Sequence, residues 1–298
     1  MKVTNIKKKI NKFSKIQKIF IFHHMGLGDF ISCNAIIRKF CKQKKEIFLF
    51  CKINLLKNIK FMYRDLKNLT IIKIKDENDI DIFLKSINLE KRNYQVIELG
   101  FDNFYKTISN KLKNKDFTTD MVFYKQLNIP YSCRFKNTYW KRDFKNEKRV
   151  YKKLNPKNEE YIFVHDDPDR NLKIDRFINR KKELKIIRND KSEIIFNLGL
   201  IVEKAKEIHL IESSIRHLIE TLNIKHKRIY LYNIRKNLSR GPFIGKNGKY
   251  VGTCKKFKII NPSYNKNNSY NFENLKKNFT RKIHKFLNIN EKKYISFK

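Results

Sequence analysis

The sequence predicts an α/β protein of two domains, residues 1–150 and 151–298, each with a parallel sheet flanked by helices. Three observations predict this architecture. Short apolar runs of β-prone residues alternate with segments whose apolar residues recur at helical spacing. Several of these runs end in turns containing glycine, aspartate or serine. A polar stretch at 141–160, with Pro156 and few large apolar side chains, separates two such series and is the predicted domain boundary.

The first domain starts with a predicted strand at Lys18–His24, which is apolar, β-prone and short. The glycine turn Met25–Asp29 follows it, and apolar residues then recur at helical spacing from Phe30 to Phe40. The alternation continues, with predicted strands at Ile47–Cys51, Leu69–Ile74 and Tyr94–Leu99 and predicted helices at Leu55–Tyr63, Ile80–Ile87 and Asp120–Leu127.

The second domain repeats the pattern, with predicted strands at Tyr161–His165, Leu184–Arg188, Glu207–Ile211 and Arg228–Tyr232 and helices at Ile194–Ala205 and Ser214–Leu222. Residues 239–269 contain four glycines and two prolines, which predicts an irregular loop. Residues 272–287 have apolar side chains at helical spacing and are predicted to form a closing amphipathic helix.

The chain is strongly basic, with 69 Lys and Arg against 29 Asp and Glu and a formal net charge of +40. The lysines are spread evenly, and alanine occurs only at positions 35 and 205, which favours AT-rich codon usage and a solvated surface. The alternative is a surface selected to bind a polyanion such as nucleic acid or an anionic membrane. In both cases the positive field attracts phosphorylated ligands.

The five cysteines are odd in number and include no CxxC pair, so the sequence predicts neither a disulfide framework nor a zinc site. A reducing, cytoplasmic setting is the expectation, with peripheral contact to an anionic membrane as an added possibility. The apolar stretch at 16–22 is short and contains Gln17 and Lys18, so it suits neither a signal peptide nor a membrane span.

The clearest local motif is the turn Gly26-Leu-Gly28-Asp29 between the first strand and the first helix. Glycine permits a sharp turn and close approach of a ligand to the backbone, while the helix N-terminus favours an anion. Two roles are open for Asp29, namely capping the helix and acting as a general base. Ile31 replaces the third glycine of a dinucleotide fingerprint. Of the two preceding histidines, His23 and His24, one is expected to pack in the core.

A second polar segment, Val164–Arg170, lies at the end of a predicted strand and contains His165, three aspartates and Arg170, with Lys173 and Arg176 just after it. Three interpretations are open: a metal site, a structured Asp-Pro turn, and phosphate binding by Arg170 and Lys173. We predict phosphate binding, with no metal.

A third segment, Glu212-Ser213-Ser214, links a predicted strand to a predicted helix. Either serine is expected to be the helix N-cap. The same residues would bind a ligand if Ser213, Ser214 and the free N–H groups of the helix hold a phosphate while Glu212 accepts a sugar hydroxyl.

The Gly-Leu-Gly-Asp turn and the acidic-Ser-Ser turn resemble those of GT-B glycosyltransferases, in particular the heptosyltransferase-like and fucosyltransferase-like branches. Ile195–Leu222 and Phe123–Pro130 are similar to segments of uncharacterised glycosyltransferase-like proteins from microbes and large viruses. The chain departs from these branches in two places: Ser-Ile-Arg-His replaces Gly-Pro-x-His after Ser213, and Asp166-Asp167 follow His165 where fucosyltransferases have His-x-Arg-Arg.

The resemblance implies two Rossmann-like domains facing across a cleft, an N-terminal one for the acceptor and a C-terminal one for a nucleotide-diphosphate sugar, with no essential metal or cofactor. It implies that Asp29 is the base and that Gly26, Gly28, His165, Arg170, Lys173, Glu212, Ser213 and Ser214 bind the donor. The acceptor would be a glycan or lipid-linked hydroxyl. Nucleic-acid or polyanion binding and non-catalytic glycan binding on the same fold are the alternatives.

Overall fold

The structure is a computed structural model that describes residues 18–23, 26–43, 45–86, 94–100, 118–167, 172–178, 184–224, 228–234, 243–244, 249–254 and 257–261. Internal contacts divide these residues into two compact units: the first comes from 1–101 and 132–141, and the second from 102–131 and 142–298. The predicted boundary after residue 150 and the predicted cleft stay predictions. The helix predicted at 272–287 lies outside the described residues.

The first unit contains a parallel sheet whose strands follow one another in space as β3-β2-β1-β4. Its strands are β1 Lys18–His23, β2 Glu46–Lys52, β3 Leu69–Ile74 and β4 Tyr94–Leu99. Its helices are α1 Leu27–Cys41, α2 Leu56–Met62, α3 Asn78–Ser86 and α5 Cys133–Asn137; a 3₁₀ turn at Ile53–Leu55 precedes α2, and α4, Thr119–Gln126, belongs to the second unit. The sequence-based predictions of these four strands and first three helices are confirmed, with ends that shift by at most three residues.

The buried centre of this sheet explains why its sequence is so apolar. Ile19 and Ile21 of β1 are almost fully buried, and the Phe20 ring stacks on Phe48 of β2 with centroids 4.7 Å apart. A parallel strand that is covered on both faces needs a nearly continuous apolar run, and that is the pattern of β1 and β2.

Arg38 of α1 attaches residues 138–140 to the first unit. This buried guanidinium pairs with both carboxylate oxygens of Asp65, at 2.8 and 2.9 Å, and donates to the carbonyl oxygens of Met62 and Tyr139. Asn34 accepts a further bond from it. Because Arg38 is paired and hydrogen-bonded, its burial is tolerated, and its role is structural.

The second unit contains a five-stranded parallel sheet in the order β11-β8-β7-β5-β6. Its strands are β5 Tyr161–His165, β6 Lys185–Arg188, β7 Glu207–Ile211, β8 Arg228–Tyr232 and β11 Lys258–Ile260, and β9 Phe243–Ile244 pairs antiparallel with β10 Tyr250–Val251. Its helices are α4 Thr119–Gln126, α6 Phe144–Leu154, α7 Gly199–Lys204 and α8 Ser214–Thr221. Short 3₁₀ turns lie at Asp175–Phe177 and Ile195–Leu198.

Helix α6 lies within the polar stretch for which the sequence predicted no helix. Its apolar stripe is short, since Val150 and Tyr151 are buried together with Glu147 while the lysines face solvent. Asp143 caps it by accepting a hydrogen bond from the backbone N–H of Asn146 at 3.1 Å. The buried carboxylate of Glu147 pairs with Arg142, which also binds Glu203 at 2.7 Å.

Two further predictions are corrected by the structure. The predicted irregular loop at 239–269 contains β9, β10 and β11, and β11 is an edge strand that pairs with β8. The helix predicted at Ile194–Ala205 begins as a 3₁₀ turn and becomes α-helical only at Gly199. Gly199 allows close packing here, because a Cβ atom at this position would lie 2.6 Å from Glu147 Oε2.

Candidate functional site

Each parallel sheet has a point at which the strand order reverses. In the first unit β2 and β3 lie on one side of β1 and β4 lies on the other, so the reversal falls between β1 and β4. In the second unit β6 lies on one side of β5, and β7, β8 and β11 lie on the other, so the reversal falls between β5 and β7. Open α/β sheets bind ligands outside the carboxyl ends of the strands at this switch point.

The motifs singled out from sequence follow the strands that flank these two points. Gly26–Asp29 follows β1, His165 and Asp166 end β5, and Glu212–Ser214 follows β7. Because β5 and β7 are parallel neighbours with His165 opposite Leu210, the second and third of these segments lie at the same sheet edge. The fold therefore groups His165, Glu212, Ser213 and Ser214 within one unit, and places Asp29 in the other.

Asp29 caps the helix that follows the glycine turn. The backbone N–H of Gly26 donates a hydrogen bond to Asp29 Oδ2 at 3.2 Å, and the N–H of Asp29 donates back to the Gly26 carbonyl at 3.0 Å. A Cβ atom at Gly26 would lie 2.7 Å from the same carboxylate oxygen, so glycine permits the contact. The capping interpretation is confirmed, and the general-base role stays a prediction.

His23 is fully buried at the end of β1 and packs edge-on against Phe30, with ring centroids 4.3 Å apart. This confirms that one of the paired histidines belongs to the core, whereas His24 lies outside the described residues. Gly28 lies in the first turn of α1, and the buried Ile31 of the same helix fills the position of the missing third glycine.

His165 is held in a fixed orientation at the end of β5. Its Nδ1 lies 2.8 Å from Asn189 Oδ1, in the loop that follows the neighbouring strand β6. Because an amide oxygen can only accept, Nδ1 is the donor in this pair. His165 is half-buried at the switch point. Its role in donor binding stays a prediction.

The two predicted phosphate-binding cations follow β5. The backbones of Asp167 and Leu172 form an antiparallel bridge. Arg170 itself lies outside the described residues, and Lys173 is exposed just beyond the bridge. Phosphate binding by these two cations stays a prediction.

Asp166, which the sequence analysis did not separate from its neighbours, is the most buried acidic group at this edge. The residue is 5% exposed, and Oδ1 lies 3.7 Å from Arg188 Nε. Within the part of the chain that the structure describes, no donor makes a hydrogen bond to its Oδ2. The signal that could have identified it is an aspartate placed immediately after a fully apolar strand.

Glu212 is oriented by Arg216, another residue that sequence reasoning missed. Arg216 is 2% exposed and donates to both carboxylate oxygens of Glu212, from Nη2 at 2.7 Å and from Nε at 3.0 Å. Its Nη1 lies 2.9 Å from Glu220 Oε1, and its Nη2 lies 3.1 Å from His217 Nε2. The same His217 Nε2 lies 3.6 Å from Glu212 Oε1, so the imidazole belongs to this cluster.

Ser213 occupies the N-cap position of α8, as predicted, but its hydroxyl makes no capping hydrogen bond. Its backbone is extended, with φ −165° and ψ 179°, and the chain bends between the end of β7 and the start of the helix. Among the described residues no partner hydrogen-bonds to its buried Oγ. The expected cap is therefore correct in position and wrong in the contact it makes.

Neither a metal centre nor a membrane-spanning helix is found in the described residues. Nowhere in that part of the chain do three or more His, Cys, Asp or Glu side chains group as metal ligands. The helices described there include none with both the length and the apolarity that a membrane crossing requires.

Two solved structures similar to this chain are both glycosyltransferases. The first, a glycosyl transferase family 9 protein from Veillonella parvula, is 9% identical with a TM-score of 0.45, over 72% of this chain and 80% of the other. The second, the iron-containing dodecameric glycosyltransferase TibC from enterotoxigenic E. coli, is 10% identical with a TM-score of 0.42, over 84% of this chain and 64% of the other. No family model and no curated protein matches the sequence. The identities are too low to transfer residue roles.

Proposed function

We propose that this protein transfers a glycosyl group from a nucleotide-diphosphate sugar to a hydroxyl acceptor. The observation that carries the proposal is the position of the polar turns. Each sheet has a glycine or serine turn, followed by a helix N-terminus, directly at its switch point. This is where parallel α/β sheets bind nucleotides and phosphates.

The second unit is the proposed donor-binding part. Ser213, Ser214 and the first N–H groups of α8 would bind the diphosphate, with the helix dipole favouring its negative charge. Lys173 and Arg170 would add cations beside the phosphates. Gly26 and Gly28 of the first glycine turn are the remaining residues predicted to bind the donor.

Glu212 is suited to accept a hydrogen bond from a ribose or sugar hydroxyl. Its two oxygens already bind Arg216, but a carboxylate has about four lone-pair sites, so acceptor capacity remains. The side chain of Glu212 is 15% exposed, whereas that of Glu220 is 2% exposed, so Glu212 is the more accessible of the two carboxylates that Arg216 binds.

Asp29 is the proposed general base of the first unit. It would take the proton of the acceptor hydroxyl while the acceptor oxygen bonds to the anomeric carbon and the nucleoside diphosphate leaves. The leaving diphosphate gains charge, which cations and helix N–H groups stabilise; losing one such donor costs about 2.7–4 kcal/mol in the barrier. We propose that this stabilisation operates without a metal, so transfer should persist in EDTA.

The acceptor we propose is a glycan or lipid-linked hydroxyl, encountered in the cytoplasm. The charge of +40 would then favour peripheral contact with an anionic membrane that presents such a lipid. Vesicle sedimentation with anionic and neutral lipid, at low and high salt, measures this contact directly.

The test is a thermal-shift screen against UDP, GDP, ADP and CMP and their sugars, followed by transfer assays with the ligand that binds. A ligand at about 100 times its dissociation constant adds about 2.7 kcal/mol of stability. Replacing both Ser213 and Ser214 by alanine should abolish the shift, whereas Ser86→Ala, an exposed serine on α3, should not. If no nucleotide raises the melting temperature while random RNA binds with a steep salt dependence, polyanion binding replaces this proposal.

A further inference from the structure

We infer that Asp166 and Ser213 form a ligand subsite at the β5–β7 switch point, which binds a sugar-ring hydroxyl on Asp166 and an adjacent phosphate oxygen on Ser213. The inference rests on the proposed function, because it names part of the ligand that the same sheet edge would hold. Asp166 has not been assigned to any site above, and Ser213 was predicted only to contact phosphate.

Both groups are buried polar atoms without a partner. In the described part of the chain, Asp166 Oδ2 and Ser213 Oγ are inaccessible to solvent and take part in no hydrogen bond. An unpaired buried polar group costs about 1–3 kcal/mol, and more when it is charged. Two such groups at one strand edge are explained if a ligand supplies the missing donor and acceptor.

The strand register places the two groups at the same edge of the sheet. His165, the last residue of β5, lies opposite Leu210 in the parallel pairing of β5 with β7. Asp166 directly follows β5, and Ser213 lies two residues beyond Ile211, the last residue of β7. Neighbouring strands of a sheet lie about 4.7–4.9 Å apart, so both residues leave the sheet within the span of a sugar and its phosphate.

The neighbouring arginines already pair with other carboxylates, which leaves Asp166 available to a ligand. Arg188 donates from Nη2 to Asp175 Oδ1 at 2.5 Å and approaches Asp166 only through Nε, at 3.7 Å from Oδ1. Arg216 is occupied by Glu212 and Glu220. A carboxylate in this position is a good acceptor for a hydrogen bond donated by a hydroxyl group, because hydrogen bonds to charged groups are stronger than neutral ones.

The sugar hydroxyl could belong to the ribose or to the transferred sugar, and the test separates them. Binding of UDP, GDP, ADP and CDP, of their sugars and of inorganic pyrophosphate is measured by calorimetry. Asp166→Asn should weaken nucleoside-diphosphate binding by roughly tenfold or more if the ribose occupies the subsite, and pyrophosphate binding should not change. Weakening of the nucleotide-sugar alone would assign the transferred sugar instead.

The matched control is Asp175→Asn, which removes the other carboxylate near Arg188 but has a side chain 41% exposed against 3% for Asp166. It should leave all affinities unchanged. Ser213→Ala should weaken pyrophosphate as well as nucleotide, and Ser213→Thr, which keeps the hydroxyl, should restore part of the loss. If Asp166→Asn does not fold, Asp166→Ala replaces it in the same binding measurements.

Three results would overturn the inference. If Asp166→Asn binds nucleotides and nucleotide sugars as tightly as the wild type, Asp166 is not part of a ligand subsite. The proposed function is then unaffected. If Asp166→Asn and Asp175→Asn lose equal affinity for nucleotides and their sugars, the effect acts through Arg188 and not through the subsite. Failure of every nucleotide and sugar to bind the wild type removes the proposed function and this inference together.

Discussion

Arg216 donates to both carboxylate oxygens of Glu212, four residues before it, so a residue inside α8 sets the orientation of a carboxylate at the end of β7. Arg216 also lies 2.9 Å from Glu220 and 3.5 Å from the carbonyl oxygen of Gly252. The candidate donor loop is therefore supported from the helix side by a buried, fully engaged guanidinium.

Arg216→Met should lower the free energy of unfolding by about 3–5 kcal/mol, because it leaves two buried carboxylates without their cation. Arg228→Met is the control, since the Arg228 side chain is 69% exposed and its pair with Glu207 should contribute no more than about 1 kcal/mol. Urea unfolding measures both. Similar losses in the two variants would mean that the Arg216 network adds nothing beyond a surface pair.

Gly26→Ala should displace the Asp29 carboxylate, because the new Cβ would lie 2.7 Å from Oδ2. The lost cap should cost about 0.5–2 kcal/mol of stability, as should Asp29→Ala. If Asp29 is the base, Asp29→Ala should also lose most transfer activity while binding donor normally. Full turnover by folded Asp29→Ala would assign the residue to capping alone.

Gly252→Ala should be destabilising for two reasons. Gly252 has φ +77°, and a Cβ there would lie 2.2 Å from Thr118 Cγ2. The expected loss is about 1–3 kcal/mol. In a double-mutant cycle, Thr118→Ser removes the clashing methyl and keeps the hydroxyl that bonds Asp120, so it should recover part of the loss. Strict additivity would show that backbone strain, not the clash, sets the cost.

Stability should decrease in acid partly through Asp190. The bond from Lys153, with further bonds from Ser192, lowers the pKa of Asp190 from 3.8 to about 2. A depressed carboxyl pKa contributes stability that is full above pH 4 and is lost as the pH falls towards 2. Asp190→Asn should therefore flatten the acid limb of unfolding free energy against pH. Parallel curves for variant and wild type would contradict this contribution.

The cysteines should differ sharply in reactivity towards iodoacetamide at pH 8. Burial raises the pKa of the Cys51 thiol to about 12 and that of Cys41 to about 11, so little thiolate forms and access is blocked. Cys254 is exposed. Mass spectrometry of the native protein should find Cys254 modified while Cys41 and Cys51 remain unmodified; modification of all three at similar rates would indicate frequent opening of the first unit.

The strands were predictable because buried parallel strands are nearly continuous apolar runs. The bounds of Leu69–Ile74, Tyr94–Leu99, Tyr161–His165, Glu207–Ile211 and Arg228–Tyr232 agree with prediction. Helix α6 was missed because its apolar stripe is reduced to Val150 and Tyr151 among lysines. Strand β11 was missed because an edge strand of three residues produces little pattern.

The site was predictable only in part. Glycines, serines and an aspartate next to predicted strands marked the turns, because turn chemistry is local. Asp166 and Arg216 were missed because their importance depends on burial and on partners distant in sequence, such as Arg188 for Asp166 and Gly252 for Arg216. No local pattern indicates that a hydroxyl at an N-cap, here Ser213, lacks a partner.

By itself, the sequence determined the alternation of strands and helices and the turns between them, since hydrophobic periodicity and turn preference act over a few residues. Tertiary structure alone decided the strand order, and with it which turns stand at a switch point. It also decided that Arg216 holds Glu212 and that Asp166 is buried with no hydrogen bond to Oδ2 from any residue the structure describes. Those features depend on burial, which arises when segments far apart in the sequence pack together and exclude water.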